Sequence, residues 1–288
     1  MSKKTKQVHQ DGFSRFNAIK PATNAVFTLI FVLLAIITFL PVVFVFIISI
    51  SSEASIAQNG YSFFPAELSL ESYKYLWQSK DYIGRAFVIS VGITLAGTLL
   101  GLVLTSTLGY VLSRPNYYMK GVYTWMLIIP MLFSGGLVAR YMVNTQIYHL
   151  KNTYWALILP GACSTFYVVV MRTFFQTTVP DEIIESGKID GASQLRIFVQ
   201  LVLPISLPAL ATIALFLTFA YWNDWYQASL YIESNQHDLF PLQYVLVNIE
   251  KNIQYLANND MAMSANSNAL PSETMRMAIV VISVVPIM

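Results

Sequence analysis

The sequence predicts an all-α polytopic membrane protein with six transmembrane helices. Hydrophobic residues make up 56% of the 288 residues, and charged residues only 11%. Soluble domains usually carry about 25% charged residues, so lipid is the expected solvent of a chain this apolar. Several apolar stretches also reach the roughly 20 residues that a helix needs to cross a bilayer.

The six predicted spans follow the apolar segments in chain order. The first, Ala25–Ile50, is longer than the apolar core of a cleaved signal sequence. The second, Ala86–Leu112, contains no charged residue. The remaining four spans are residues 122–142, 154–176, 205–232 and 275–288. The last is shorter than a full span, and we interpret it as a sixth helix truncated by the end of this chain.

The positions of basic residues predict the orientation. Lys and Arg near spans tend to remain in the cytoplasm. Residues 1–24 hold five of them, so this N-terminal segment is expected inside and residues 25–288 form the membrane domain. The five basic residues of this N-terminal segment are Lys3, Lys4, Lys6, Arg15 and Lys20. Six spans then place residues 177–204 inside as well. A net charge of +2 gives no reason to expect nucleic acid as a partner.

The polar loop at residues 177–204 has an ordered pattern. Pro180 stops the preceding helix, and Asp181 and Glu182 suit the start of the next one because they complement its positive end. The pattern predicts a short helix that runs from Asp181 to Ile189. Gly191 then permits a backbone turn that a side chain would obstruct.

A second short helix is expected after the turn, with Ser193 as its N-cap. Pro204 is predicted to end it. Its apolar residues recur at three- and four-residue intervals and would form one face. They are Leu195, Phe198, Val199 and Val202. An amphipathic hairpin on the membrane surface is the alternative, but it would need neither the Gly191 turn nor the Leu203-Pro204 ending.

This loop resembles the EAA loop of ABC importer permeases, in which E-A-A-x-x-x-G is followed about nine residues later by I-x-L-P. Glu185 stands at the position of the glutamate, and Gly191 at that of the glycine. Ser186 and Gly187 replace the two alanines. In that family the loop forms coupling helices that dock on a separate ATPase subunit. The implied coupling residues are Glu185, Ser186, Gly187, Asp190, Gly191, Ala192, Phe198, Leu203 and Pro204.

Three other segments are similar to the carbohydrate-uptake permeases, and in particular to the branch for oligosaccharides and polysaccharide fragments, including alginate importers. They are Tyr221–Trp225, Phe240–Tyr244 and Pro271–Ala278. The resemblance implies a permease subunit in a bacterial cytoplasmic (inner) membrane that passes a carbohydrate. Its implied partners are a second, different permease subunit in a heterodimer, two ATPase subunits that bind ATP and Mg, and an extracytoplasmic solute-binding protein.

The chain contains no phosphate-binding loop of its own. The pair Gly187-Lys188 falls short of G-x-x-x-x-G-K-[ST], because Glu182 and Ile189 stand at the glycine and hydroxyl positions. We therefore expect no catalytic residue, cofactor or metal in this chain. An ion-coupled secondary transporter of small polar solutes is the alternative function. It would need carboxylates in the middle of spans, and Asp224 is off-centre.

Candidate substrate-pathway residues are polar or aromatic groups in or beside the spans. A charge inside a bilayer marks either a pathway or a buried partner, and both interpretations of Asp224 stay open. The neighbouring aromatic residues suit a sugar, although an aromatic belt at the outer interface explains them equally simply. The candidates are Asn144, Tyr167, Tyr221, Trp222, Asn223, Asp224 and Trp225. The pair Gly97 and Gly101 predicts close helix packing. The polar segment Glu250–Ser272 is predicted to form a long outer loop.

Overall fold

A computed structural model describes residues 21–115, 117–258 and 272–284, and these residues are mainly helical. The helices are α1 (Pro21–Ser49), α2 (Glu53–Asn59), α3 (Glu71–Gln78), α4 (Lys80–Ser113), α5 (Lys120–Leu132), α6 (Gly136–Met142), α7 (Trp155–Ala162), α8 (Thr165–Thr178), α9 (Asp181–Ile189), α10 (Gln194–Ile205), α11 (Leu207–Trp222), α12 (Tyr226–Tyr231), α13 (Leu242–Asn258) and α14 (Ser272–Val284). A π-helical turn follows α6 (Val143–Ile147), and a 3-10 turn precedes α13 (His237–Leu239).

Two compact units make up the chain. The first holds the residues up to Ser72 together with Glu273–Val281. In this unit the side chains of α1 are apolar and exposed along most of its length, as expected of a helix that faces lipid. The Glu53 carboxylate accepts hydrogen bonds from the Glu273 and Thr274 backbone N–H groups at 3.1 and 3.2 Å. A carboxylate at a helix N-terminus complements the helix dipole, so Glu53 stabilises the start of α14.

The second unit, which begins at Tyr73, is built around α4. One face of α4 carries glycines against which other helices pack directly. A Cβ at Gly97 would lie 2.5 Å from the Tyr221 ring of α11, and one at Gly109 would lie 2.8 Å from Met171 Cβ of α8. The Tyr221 hydroxyl donates to Ile158 O of α7 at 2.7 Å, in a buried position. The predicted close packing at Gly97 is therefore present, and Tyr221 is part of it.

Within the part of the chain that the structure describes, two helices are individually long and apolar enough to cross a membrane, residues 23–49 and α4. Two bent pairs, α7 with α8 and α10 with α11, raise that number to four if each pair is one span. The helix α5 is apolar but has only 13 residues. The count of six spans remains a prediction.

Three predicted spans are interrupted. Residues 122–142 form two helices: the chain becomes extended at Phe133 (φ −122°, ψ 113°), and α6 starts at Gly136, whose φ is +83°. Residues 154–176 bend by 46° between Ala162 and Thr165. Residues 205–232 bend by 82° at Ser206, next to Pro208, which has no N–H to give to a continuing helix. The same segment stops at Trp222 and resumes as α12.

The prediction of a long outer loop at Glu250–Ser272 is wrong for residues 250–258. Residues 250–258 belong to the helix α13. Apolar residues repeat along α13 at helical spacing, with Val245, Leu246 and Ile253 buried, and this periodicity outweighs the polar composition of the segment. Residues 259–271 of the predicted loop lie outside the described residues, as does the basic N-terminal segment 1–20.

We expect Gly97→Ala to destabilise the protein by about 1–3 kcal/mol, because the added methyl group would displace the hydrogen-bonded Tyr221 ring. Gly92→Ala is the matched control on the same helix, since no atom lies within 4 Å of its Cβ position. Thermal unfolding in detergent measures both variants. Equal losses of stability in the two variants would contradict the role of the Gly97 contact.

Candidate functional site

The helix α9 begins and ends where the sequence predicts it, at Asp181 and Ile189. Pro180 precedes it with extended backbone (φ −60°, ψ 144°), and Asp181 and Glu182 occupy its first turn. Ile184 is buried on the inner face, whereas most of the remaining side chains are exposed. We call residues 177–204 the elbow, because this segment leaves the helix α8, turns at Gly191 and returns through α10.

The turn of the elbow depends on Gly191, whose φ is +75°. L residues rarely adopt this left-handed conformation, so glycine is the suitable residue. No atom lies within 4 Å of a Cβ built there, so the constraint is in the backbone and not in crowding. The Ala192 N–H donates to Gly187 O at 2.9 Å, and the Ser193 hydroxyl accepts from Arg196 N at 3.4 Å. Ser193 therefore caps α10 as predicted.

The two arms of the elbow pack on each other at Gly187. A Cβ there would lie 3.1 Å from Ile197 Cγ1 and 3.2 Å from Leu201 Cδ1. An alanine would fit only if these side chains moved by a few tenths of an ångström. The glycine that replaces an alanine of the EAA pattern thus brings α9 and α10 closer together.

Pro204 does not end the second arm, contrary to the sequence prediction. The helix α10 continues through Pro204 to Ile205, with a π-helical segment at Phe198–Val202. The Leu203 N–H donates to Phe198 O, five residues earlier. This wider turn lies directly before Pro204 and accommodates the break in the hydrogen-bond pattern that proline causes.

The buried face of α10 also differs from the predicted one. Phe198 and Val202 are buried, as expected for an apolar face. Leu195 and Val199, assigned to the same face, are exposed, and Ile197 is fully buried instead. The π-helical segment changes the angular spacing of side chains, so a regular helical repeat does not predict the face correctly.

The predicted coupling residues divide into an exposed set and a packed set. The exposed residues are Glu185, Ser186, Asp190, Gly191 and Pro204, and the buried ones are Gly187 and Phe198. Ala192 and Leu203 are half-buried. Ile189, with 86% of its surface exposed, adds an apolar side chain beside the exposed set. The elbow therefore offers a mixed polar and apolar surface on a rigid support.

Arg114, at the end of α4, holds the base of the elbow, and sequence reasoning did not assign it this place. Its guanidinium group pairs with Asp181 Oδ1 at 2.7 Å and donates to Phe175 O at 3.3 Å. It also donates to Ser113 Oγ at 2.9 Å and lies 5.3 Å from the centre of the Tyr110 ring. The sequence signal is an isolated arginine directly after an uncharged span.

A cavity of about 500 Å³ separates the end of α4 from α9. Charged side chains of both signs line it beside two tyrosines. They include Arg114, Asp181, Glu185 and Lys188, together with Tyr110 and Tyr117. The first residue of α9 is therefore held by Arg114, and the cavity lies between the rest of α9 and the end of α4.

The candidate pathway residues at the end of α11 have structural contacts. Tyr221 and Trp222 are buried inside the protein, which does not fit an aromatic belt in contact with lipid. Asn223 Nδ2 donates to Phe219 O of its own helix at 2.9 Å. Trp225 is partly exposed, and Lys251 Nζ lies 5.1 Å from the centre of its ring.

Asp224 acts as a helix cap. Its Oδ1 accepts hydrogen bonds from Tyr226 N at 3.0 Å and Gln227 N at 3.1 Å, at the start of α12. A carboxylate that accepts two backbone N–H groups is the usual N-terminal arrangement of a helix. Of the two interpretations left open, this geometry favours the structural one.

The two remaining candidates lie on other elements. Asn144, in the π-helical turn after α6, donates to the Tyr231 hydroxyl at 2.8 Å and is buried. Tyr167 of α8 stacks on Phe216 of α11, with ring centres 6.3 Å apart. Both rings line an apolar groove of about 410 Å³ between these helices. The seven candidates thus lie on several elements, and their place in a substrate pathway stays a prediction.

Hydrogen bonds and an ion pair connect two loops near Asn144. Asn152 accepts from Glu233 N at 2.8 Å and donates to Glu233 Oε2 at 3.0 Å. Lys151 pairs with Glu233 Oε1 at 2.6 Å. The hydrogen bonds from Lys151 and then Asn152 hold the pKa of the Glu233 carboxyl below its ordinary value. Within the described residues, no group of three or more His, Cys, Asp or Glu side chains could hold a metal ion.

A family of bacterial transport proteins matches most of this chain. The family is described as the binding-protein-dependent transport system inner membrane component, and residues 94–288 match its model. The chain belongs to this family. The matched residues include the whole elbow.

Individual proteins are also similar to the chain. Protein LplC of Bacillus subtilis (strain 168) is 37% identical over 253 residues, which cover 88% of this chain and 83% of that protein. The polygalacturonan/rhamnogalacturonan transport system permease protein YtcP of the same strain is 34% identical, over 88% of this chain and 87% of that protein.

A solved structure has the same fold. A chain of a bacterial ABC transporter involved in the import of the acidic polysaccharide alginate matches with a TM-score of 0.75 and 25% sequence identity. The match covers 94% of this chain and 96% of that one. The chain thus has the ABC importer permease fold.

The two interpretations of Asp224 predict different variant behaviour. Asn is as good an N-cap as Asp, so Asp224→Asn should keep both the thermal stability and the transport of the wild type. Asp224→Ala should lose about 1 kcal/mol of stability. Thermal unfolding and uptake assays on both variants measure this. Loss of transport in a fully stable Asp224→Asn variant would instead show that the pathway needs the charge.

Proposed function

We propose that this chain is the permease subunit of an ATP-driven ABC importer that passes an oligosaccharide across the cytoplasmic membrane, with the elbow as its coupling element. One observation carries the coupling role: α9, the Gly191 turn and α10 form a supported projection that exposes Glu185, Ser186 and Asp190. Such a projection suits docking on another protein. The family match includes this segment.

The support under the elbow distinguishes it from a flexible loop. Gly187 packs tightly on Ile197 and Leu201, and the Phe198 ring lies against Tyr110 of α4 at a tilt of 35°, with ring centres 4.9 Å apart. Tyr110 also contacts Phe175 of α8 edge to face, at 6.0 Å. A force applied to the exposed side of the elbow would therefore reach two membrane helices through packed aromatic rings.

The partners follow from the family and from the chain's lack of a phosphate-binding loop. Two ATPase subunits would bind ATP and Mg and dock on elbows. A second permease subunit would complete a heterodimer, and an extracytoplasmic solute-binding protein would deliver the carbohydrate. Closure of the ATPase dimer would move the elbows and rock the spans between inward-open and outward-open states, as in alternating access generally.

The topology proposed for this function has six spans with the N-terminus in the cytoplasm. It places the elbow on the same side as the ATPase subunits. The substrate class is supported by the similarity to YtcP, named for polygalacturonan and rhamnogalacturonan, and to the alginate importer. We therefore propose oligosaccharides of the polygalacturonan, rhamnogalacturonan or alginate type as the cargo.

An ion-coupled secondary transporter is the less favoured function. It requires carboxylates poised in the middle of spans. Asp224 is the acidic residue nearest to that role, and its Oδ1 atom is taken up by the cap of α12. The family match also favours a permease that works with a binding protein.

The energy source can be tested directly in proteoliposomes that contain the complete transporter and its binding protein. We expect uptake of labelled oligogalacturonides or alginate oligosaccharides to stop when internal ATP is depleted and to continue in the presence of an ionophore. Uptake that resists ATP depletion and stops with the ionophore would contradict the proposed function. Boiled binding protein serves as the control for nonspecific uptake.

The turn of the elbow provides a second test. Gly191→Val forces a β-branched residue to adopt a φ of +75°, so it should distort the docking surface and reduce ATPase copurification and transport, while membrane insertion is kept. Gly60→Val is the matched control, because Gly60 follows the short helix α2 with a φ of +70° and open space at its Cβ position. Normal copurification of the ATPase with Gly191→Val would contradict the docking role.

A further inference from the structure

Arg114 joins three helices with one side chain. Its contacts reach its own helix α4 (Tyr110 and Ser113), the last turn of α8 (Phe175 O) and the first residue of α9 (Asp181). The side chain of Arg114 is only 16% exposed, whereas that of Asp181 is 64% exposed. The arginine is thus held in place by the membrane helices and reaches outward to the elbow.

The chemistry of this junction suits arginine in particular. Arg114 donates to two oxygens outside α4. One belongs to the Asp181 carboxylate, and the other is Phe175 O, a carbonyl at the negative C-terminal end of α8. A planar guanidinium with five N–H groups can bind both at once and also rest on the Tyr110 ring. A lysine ammonium could approach Asp181 but could not make the other contacts in the same geometry.

The helix α9 packs on α10 at Gly187, but packing does not hold α9 on the side that faces the end of α4. The cavity of about 500 Å³ lies between the end of α4 and α9, so these helices are not in close contact along that side. Only Val179 and Pro180 separate α8 from α9. Gln176 adds a hydrogen bond to Ser113 O at 3.4 Å, but this bond joins α8 to α4 and not to α9. Among the ion pairs of the described residues, that of Arg114 with Asp181 is the one that reaches the elbow.

We propose that Arg114 is a positioning residue for energy coupling: it fixes the base of α9 to α4, so that movement of the elbow moves the membrane helices and is not lost at the Val179–Pro180 joint. The inference rests on the proposed function. It adds to that function a specific residue through which force passes from the elbow to the membrane helices.

The readout that tests this role is the number of ATP molecules hydrolysed per substrate molecule transported. In the complete reconstituted transporter, Arg114→Gln should raise this ratio severalfold, because part of the elbow's movement would no longer reach the membrane helices. ATPase copurification should stay at the wild-type level, which separates a loss of coupling from a loss of docking. Arg114→Lys, which keeps the charge, should give a smaller increase.

Arg85→Gln is the matched control. Arg85 lies at the opposite end of α4 and also pairs with an aspartate, Asp238, but it does not touch the elbow. We expect the wild-type ratio in this variant. A general effect of losing an arginine from α4 would raise the ratio in both variants and would overturn the proposal.

Asp181→Asn provides a second route if Arg114→Gln does not assemble, since it removes the charge of the partner and leaves Arg114 in place. It should raise the ratio to a smaller extent. An unchanged ratio in an assembled Arg114→Gln transporter, or in Asp181→Asn if the former does not assemble, would overturn the role of Arg114. A wild-type complex whose uptake is independent of ATP would instead overturn the proposed function itself.

Discussion

The close approach of helices to the glycine face of α4 is the constraint on which the second unit depends. Lipid offers little hydrophobic drive for helices to associate, so small residues that permit close van der Waals contact have a large effect. At Gly97 the contacting group is the ring of Tyr221, and at Gly109 it is Met171. These two contacts bring α11 and α8 against α4. The helix α8 leads into the elbow through the Val179–Pro180 joint, and α11 follows the second arm of the elbow, α10.

The sequence predicts the elbow better than it predicts the spans, for a physical reason. Pro180, the acidic first turn, Gly191 and Ser193 are local signals whose effect does not depend on distant residues. The bounds of α9 follow from them directly. Pro208 is a local signal for the break at Ser206, but the sizes of the bends there and between Ala162 and Thr165 are not predicted, because an apolar segment has the same composition whether its helix is straight or bent.

The roles of single side chains required the structure. Asp224 has the composition of a pathway charge, and only its distances to Tyr226 N and Gln227 N identify it as a cap. Trp222 has the composition of an interfacial aromatic residue, yet it is buried. Arg114 follows an uncharged span and precedes Pro115, which marks the end of the helix. Its acceptors Phe175 and Asp181 lie 61 and 67 residues farther along, beyond the reach of any local pattern.

The π-helical segment at Phe198–Val202 has a consequence for how this part of the molecule tolerates insertions and deletions. A π-helical turn contains about one residue more than an α-helical turn, and each residue of an α-helix adds about 100° of rotation. Deletion of one residue from this segment would therefore replace the π-helical turn by an α-helical turn of nearly the same total rotation, and the N-terminal end of α10 would keep its orientation. Ile197 would still face Gly187, whereas deletion of one residue from a regular α-helical stretch between Ile197 and the membrane helices would turn Ile197 away by about 100°.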